Sequence, residues 1–131
     1  MQTQHDIHGQ MHEVLAKLST LTSQRDSSVL AEFTDGALLV GSEAGEVVQG
    51  SDQLKAFFQR IFARPVCFSW QWHHLRASCA GELAWLFTEG EVVMTGTLEE
   101  KRAPYRLSGV LERQGGQWVW LQFHGAEPVR K

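Results

Sequence analysis

The chain has 131 residues, 43% of them hydrophobic and 21% charged, with a formal net charge of -3. That length suits one globular domain over residues 1–131, with room for a real core. The acidic balance, with no basic cluster larger than Lys101-Arg102 or Arg130-Lys131, argues against a nucleic-acid partner. No run approaches the roughly 18 apolar residues of a membrane span. The polar start MQTQHDIHGQMH lacks the pattern of a signal peptide. The expected compartment is the cytoplasm, with no membrane partner.

In chain order, Ile7, Met11, Val14, Leu15, Leu18 and Leu21 recur at spacings of three and four and predict a helix over 5–24. Asp26-Ser27-Ser28 breaks or re-caps it, and Val29–Phe33 reads as a short second helical turn. Ala37–Val40 and Glu46–Val48 read as short strands around the small, polar Ser42-Glu43-Ala44-Gly45. A helix then starts near Gly50, with Ser51 or Asp52 as its cap and Leu54, Phe57, Phe58, Ile61 and Phe62 as its buried face. It ends at Arg64-Pro65, because a residue before proline avoids helical dihedrals. From there only strands are expected, at about 66–78, 82–95, 103–113 and 117–125. Helices first and a long meander after them make an α+β fold, with the helices on one face of a strongly curved, mostly antiparallel sheet. Cys67 and Cys79 would lie about 40 Å apart on one strand at ~3.3 Å per residue, too far for a disulfide within the subunit.

The last quarter, YRLSGVLERQGGQWVWLQFHGAEP, is the most informative stretch. It reads as two strands joined at Gly115-Gly116, with bulky apolar groups on both faces. A sheet with one wet face alternates more cleanly. This one is expected to be covered twice, by its own helices and by a second copy of the chain.

Three segments, FTDGALLVGSEAGEVVQGSDQLKAFF, FSWQWHHLRASCAGELAWLF and the last quarter, resemble the SnoaL-like branch of the nuclear-transport-factor-2-like (NTF2-like) superfamily. The resemblance implies a cone of sheet and helices, a pocket at its wide end and a homodimer formed through the outer sheet face. The superfamily includes polyketide cyclases, ketosteroid isomerase, dehydratases, a kinase association domain and members of unknown activity. Fold therefore does not give function.

Strand pairing narrows the candidate site. A two-residue turn at Ala80-Gly81 puts Trp70, Trp72, His74, Arg76, Trp85, Phe87 and Glu89 on one face. The resemblance makes that face the concave one. Glu89 and His74 are then diagonal neighbours and candidates for acid–base catalysis, with the tryptophans raising the carboxyl's pKa. The bland reading makes His74 and Arg76 ion-pair partners of a Glu89 that sits in water at the rim. The expected ligand-binding set is Trp70, Trp72, Arg76, Trp85, Phe87, Tyr105, Leu121 and Phe123, around a small apolar or aromatic organic molecule. The resemblance makes Val119, Leu121 and Phe123 concave and turns His124 outward.

Three functions follow as alternatives. One is a binding domain. Another is a cofactor-independent isomerase, dehydratase or cyclase using Glu89. The last is a dimerisation module whose pocket is closed by its own side chains. His5, His8 and His12 share a helix, but no third metal ligand is obvious, and neither a metal nor an organic cofactor is expected. Ketosteroid isomerase chemistry would need a helical tyrosine and a strand acid where Gly109 stands, and the pocket arginines of the kinase domain align with Phe87 and Gly109.

Overall fold

A computed structural model describes residues 4–96 and 98–129. Helix α1, Gln4–Ser23, buries the expected stripe, with Ile7, Met11, Leu15 and Leu18 almost wholly shielded. It ends in a Schellman arrangement. The Asp26 N–H donates to the Leu21 carbonyl at 3.0 Å and the Arg25 N–H to the Thr22 carbonyl at 3.1 Å. Asp26 then caps a 3-10 helix, Ser27–Glu32, by accepting the Ser28 N–H at 2.9 Å. That hydrogen bond holds the Asp26 carboxyl below its ordinary pKa.

Strands β1, Phe33–Val40, and β2, Val47–Gln49, form a short hairpin, and helix α2, Ser51–Phe62, follows. The cap of α2 differs from expectation. Gly50 is the N-cap and no side chain caps the helix, while the Gln53 amide oxygen accepts the Gln49 N–H at 2.8 Å. Leu54, Phe57 and Phe58 face the core. Four long strands complete the chain: β3, Cys67–Ala80; β4, Leu83–Thr95; β5, Lys101–Gln114; β6, Gln117–Ala126.

The strands make one sheet in the order β2-β1-β6-β5-β4-β3. Only β1 and β6 run parallel; every other pair is antiparallel. The core lies between the helices and the inner face of this curved sheet. Helix α1 also blocks the free edge of β3. The Ser19 hydroxyl accepts the Trp70 N–H at 2.9 Å and His8 Nε2 reaches the Leu75 carbonyl at 3.1 Å. An unpaired strand edge invites association, and these side chains occupy it.

Register shifts within the β3–β4 and β5–β6 pairs decide which residues of the long strands face inward. The β3–β4 turn is Gly81-Glu82, not Ala80-Gly81, because Ala80 pairs with Leu83. A shift of this parity leaves the grouping of His74 and Arg76 with Trp85, Phe87 and Glu89 intact. Between Trp72 and His74 the register slips by one residue. The slip separates Trp70 and Trp72 from the rest of the expected face. It occurs opposite Gly90, where a Cβ would collide with the Gln71 carbonyl and the Trp72 backbone. A second slip lies between Val110 and Leu111 on β5, with Leu121 as the extra residue on β6. It brings Phe123 to the side of Trp118 and Trp120.

Candidate functional site

The cavity lies between the two helices and the sheet, beside the β1–β2 loop, and has a volume of about 130 Å³. Its apolar wall comes from every layer. Leu18 of α1, Phe57, Phe58 and Ile61 of α2, and Phe33 and Leu39 of β1 form one side. Phe68 and Trp70 of β3, Val92 and Met94 of β4, Tyr105 of β5 and Phe123 of β6 form the sheet side. Polar groups gather at the mouth: Ser42, Glu43 and Glu46 from the β1–β2 loop, Arg64 after α2, and Glu127 after β6.

Tyr105 is the polar centre of the site. It is 6% exposed, and its ring packs over Gly125, where any Cβ would strike the phenol. Burial raises the hydroxyl above its ordinary pKa, and the carboxylates of Glu127 and Glu46 add to this. The Ser42 hydroxyl and the Trp70 indole oppose it slightly. Tyr105 therefore stays a neutral phenol. The indole nitrogens of Trp70 and Trp72 are buried without a hydrogen-bond partner. The two indoles stack with ring centres 6.4 Å apart, and Tyr105 lies against both at 6.0 and 6.1 Å.

The expected residues divide sharply. Trp70, Tyr105 and Phe123 line the cavity. Trp72 shares the inner side but packs behind Trp70, outside the lining. Trp85 and Phe87 are corrected to the outer face, 47% and 37% exposed. Their strand turns Ala84, Leu86 and Thr88 inward instead, all three buried. Arg76 pairs with Phe87 on that outer face, and His74 stands directly opposite Glu89 there. Glu89 meets Arg106 at 3.4 Å rather than a ligand. Leu121 is spent in the bulge and does not line the cavity. Val119, also expected inside, pairs with Glu112 and shares its face. His124 is exposed opposite Ser108, as the outward reading had it.

Sequence reasoning missed Ser42, Glu46, Arg64 and Glu127. They come from loops and strand ends that carry no periodic signal, and only closure of the cone brings them together. His8 and His12 lie with ring centres 4.8 Å apart, while the His5 side chain is outside the described residues. Cys67 and Cys79 are free thiols. Among the described residues no helix is long and apolar enough to cross a membrane.

A larger hollow of about 370 Å³ lies between α1 and the β5–β6 turn. Its polar groups engage one another. Lys17 pairs with Glu32 at 3.1 Å, the Trp118 indole N–H donates to Gln10 at 2.6 Å, and the Arg113 guanidinium lies 4.6 Å from the Trp118 ring centre. The smaller cavity, with apolar walls and a few polar groups at its mouth, has the character of a small-molecule site.

The sequence model of the SnoaL-like domain family matches residues 12–130. No curated protein matches the chain. Among solved structures it is similar to an NTF2-like protein of unknown function from Pseudomonas putida KT2440. Identity there is 16%, coverage 98% of this chain and 92% of that one, and the TM-score 0.80. A provisionally named dehydratase of the NTF2-like family from Streptomyces avermitilis is 11% identical, with 98% and 100% coverage and a TM-score of 0.85. A protein from Catenulispora acidiphila, solved in complex with S-DNPA, is 12% identical, with 95% coverage of each chain and a TM-score of 0.84. At such identities the likeness speaks for the fold.

Proposed function

The chain belongs to the SnoaL-like family, and from that premise we propose that it is a small-molecule-binding domain acting as a homodimer. The observation that carries this reading is the aromatic-walled cavity with the neutral Tyr105 hydroxyl at its polar end. A volume of about 130 Å³ is close to the ~150 Å³ of an apolar cavity that takes up benzene. The ligand is therefore a compact apolar or aromatic molecule, or one whose ring enters while the remainder projects from the mouth. The Catenulispora relative, with S-DNPA bound, supports ligand binding on this fold.

A second copy covers the outer face. Leu83, Trp85 and Phe87 leave an apolar strip there, 42, 47 and 37% exposed in that order, which a lone subunit would present to water. The enzyme reading loses its base, since Glu89 and His74 share that outer face. A proton-moving enzyme of this fold would have to use the groups at the cavity, Tyr105, Glu46 or Glu127.

Calorimetric titration with 2-phenylethanol tests the binding reading. Met94→Trp fills the cavity and is expected to weaken binding more than about tenfold, while Trp85→Ala leaves it unchanged. Absence of binding, or binding indifferent to Met94→Trp, contradicts the reading. Light scattering tests the assembly: a clean monomer at micromolar concentration contradicts the homodimer.

A further inference from the structure

The mouth of the cavity carries unbalanced charge. Among the described residues, three carboxylates, Glu43, Glu46 and Glu127, and a single guanidinium, Arg64, belong to the lining, with no lysine or histidine among them. Arg64 and Glu43 engage each other, 4.0 Å apart, and Arg64 also lies 5.2 Å from the Phe68 ring centre. Glu46 gives one carboxylate oxygen to the Glu43 N–H at 3.0 Å, which fixes the side chain and leaves its other oxygen uncommitted. Glu127 comes from the opposite side, beyond β6. Both Glu46 and Glu127 stand near enough to the buried Tyr105 hydroxyl to act on it electrostatically. Two carboxylates thus stand at the mouth of a mostly apolar cavity whose polar groups include the Tyr105 hydroxyl.

Resting on the small-molecule reading above, we propose that the ligand is a compact aromatic amine, with its ring in the cavity and its ammonium at the mouth between Glu46 and Glu127. The ring gains the burial that the phenylalanine and tryptophan walls offer. The ammonium remains at the rim, partly hydrated, so the large cost of burying a charge does not arise. The ring faces of Trp70 and Tyr105 attract a cation at close range. The neutral phenol of Tyr105 accepts a hydrogen bond from it. An anion of the same shape meets repulsion from both carboxylates.

The test uses the intact protein and three probes of one shape: 2-phenylethylamine, 2-phenylethanol and 3-phenylpropionate, each titrated calorimetrically. The amine is expected to bind about tenfold more tightly than the alcohol, and the carboxylate most weakly. Glu127→Gln and Glu46→Gln each lower the amine affinity about fivefold and the alcohol affinity far less, and an unchanged urea midpoint reports that the variants remain folded. Equal affinity for amine and alcohol, or tightest binding of 3-phenylpropionate, overturns the inference and leaves the small-molecule reading standing. If none of the three binds, both fall together.

Discussion

On the inner face of the sheet Trp120 is fully buried, with Phe33 and Phe123 against it at 6.5 and 5.3 Å between ring centres. On the outer face Trp85 is 47% exposed between Ser78 and Val110. The two tryptophans have the same chemistry and belong to one sheet. What separates them is strand parity, because alternate residues face opposite ways and a bulge reverses the order. Residue type alone does not tell a pocket wall from an assembly surface; position relative to the bulge does.

The largest expected effect separates the faces directly. Trp120→Ala should cost about 3–5 kcal/mol of stability, while Trp85→Ala should cost the isolated fold under about 1 kcal/mol. Urea unfolding of both variants measures this, and equal losses would erase the distinction. Next comes the bulge itself. A Cβ at Gly90 meets backbone, which cannot swing away as a side chain can. Gly90→Ala should cost about 2–3 kcal/mol by urea unfolding, and a neutral outcome would mean that the bulge is not enforced at this position.

Tyr105 sharpens the inner side through pH. It is the only tyrosine, so phenolate absorbance reports on it alone. The folded chain keeps this proton at a pH where the unfolded chain has released it. The unfolded state then binds fewer protons, so the stability present below pH 10 is lost progressively as the pH rises above it. Absorbance should show no phenolate near pH 10 until the protein unfolds; free titration there would place Tyr105 in water. The smallest effect belongs to the outer ion pair. Glu89→Gln breaks a half-exposed contact to Arg106, and stability should change by less than about 0.5 kcal/mol, with 2-phenylethanol affinity unmoved. A strong loss of affinity would return Glu89 to the site.

The order and extent of the elements were legible, because a stripe such as Ile7, Met11, Leu15 and Leu18 or a run such as Leu83–Thr95 declares its own period. Face assignment was legible only in part. His74, Arg76, Trp85, Phe87 and Glu89 do share a face, since the turn moved without changing parity. The family resemblance puts that face on the inside, whereas the structure leaves Trp85 and Phe87 exposed on the outside. The chain instead turns Ala84, Leu86 and Thr88 inward, all three buried. The Thr88 hydroxyl donates to the His74 carbonyl at 2.7 Å, which makes its burial tolerable. The bulge had one local sign, the glycine Gly90 in the interior of a long strand pattern. On β6 the unbroken apolar run Trp118–Leu121 was a similar sign. The mouth residues had none, because Glu46 and Glu127 are 81 positions apart and meet only through the parallel pairing of β1 with β6.

The most direct measurement is the response of the five indole N–H resonances to added 2-phenylethanol, read in a nitrogen–proton correlation spectrum with each signal assigned by a single Trp→Phe variant. The account predicts that Trp70 shifts strongly, Trp72 less, and Trp85 not at all. A shift at Trp85 with Trp70 unmoved would put the ligand on the outer face and contradict the cavity as the site.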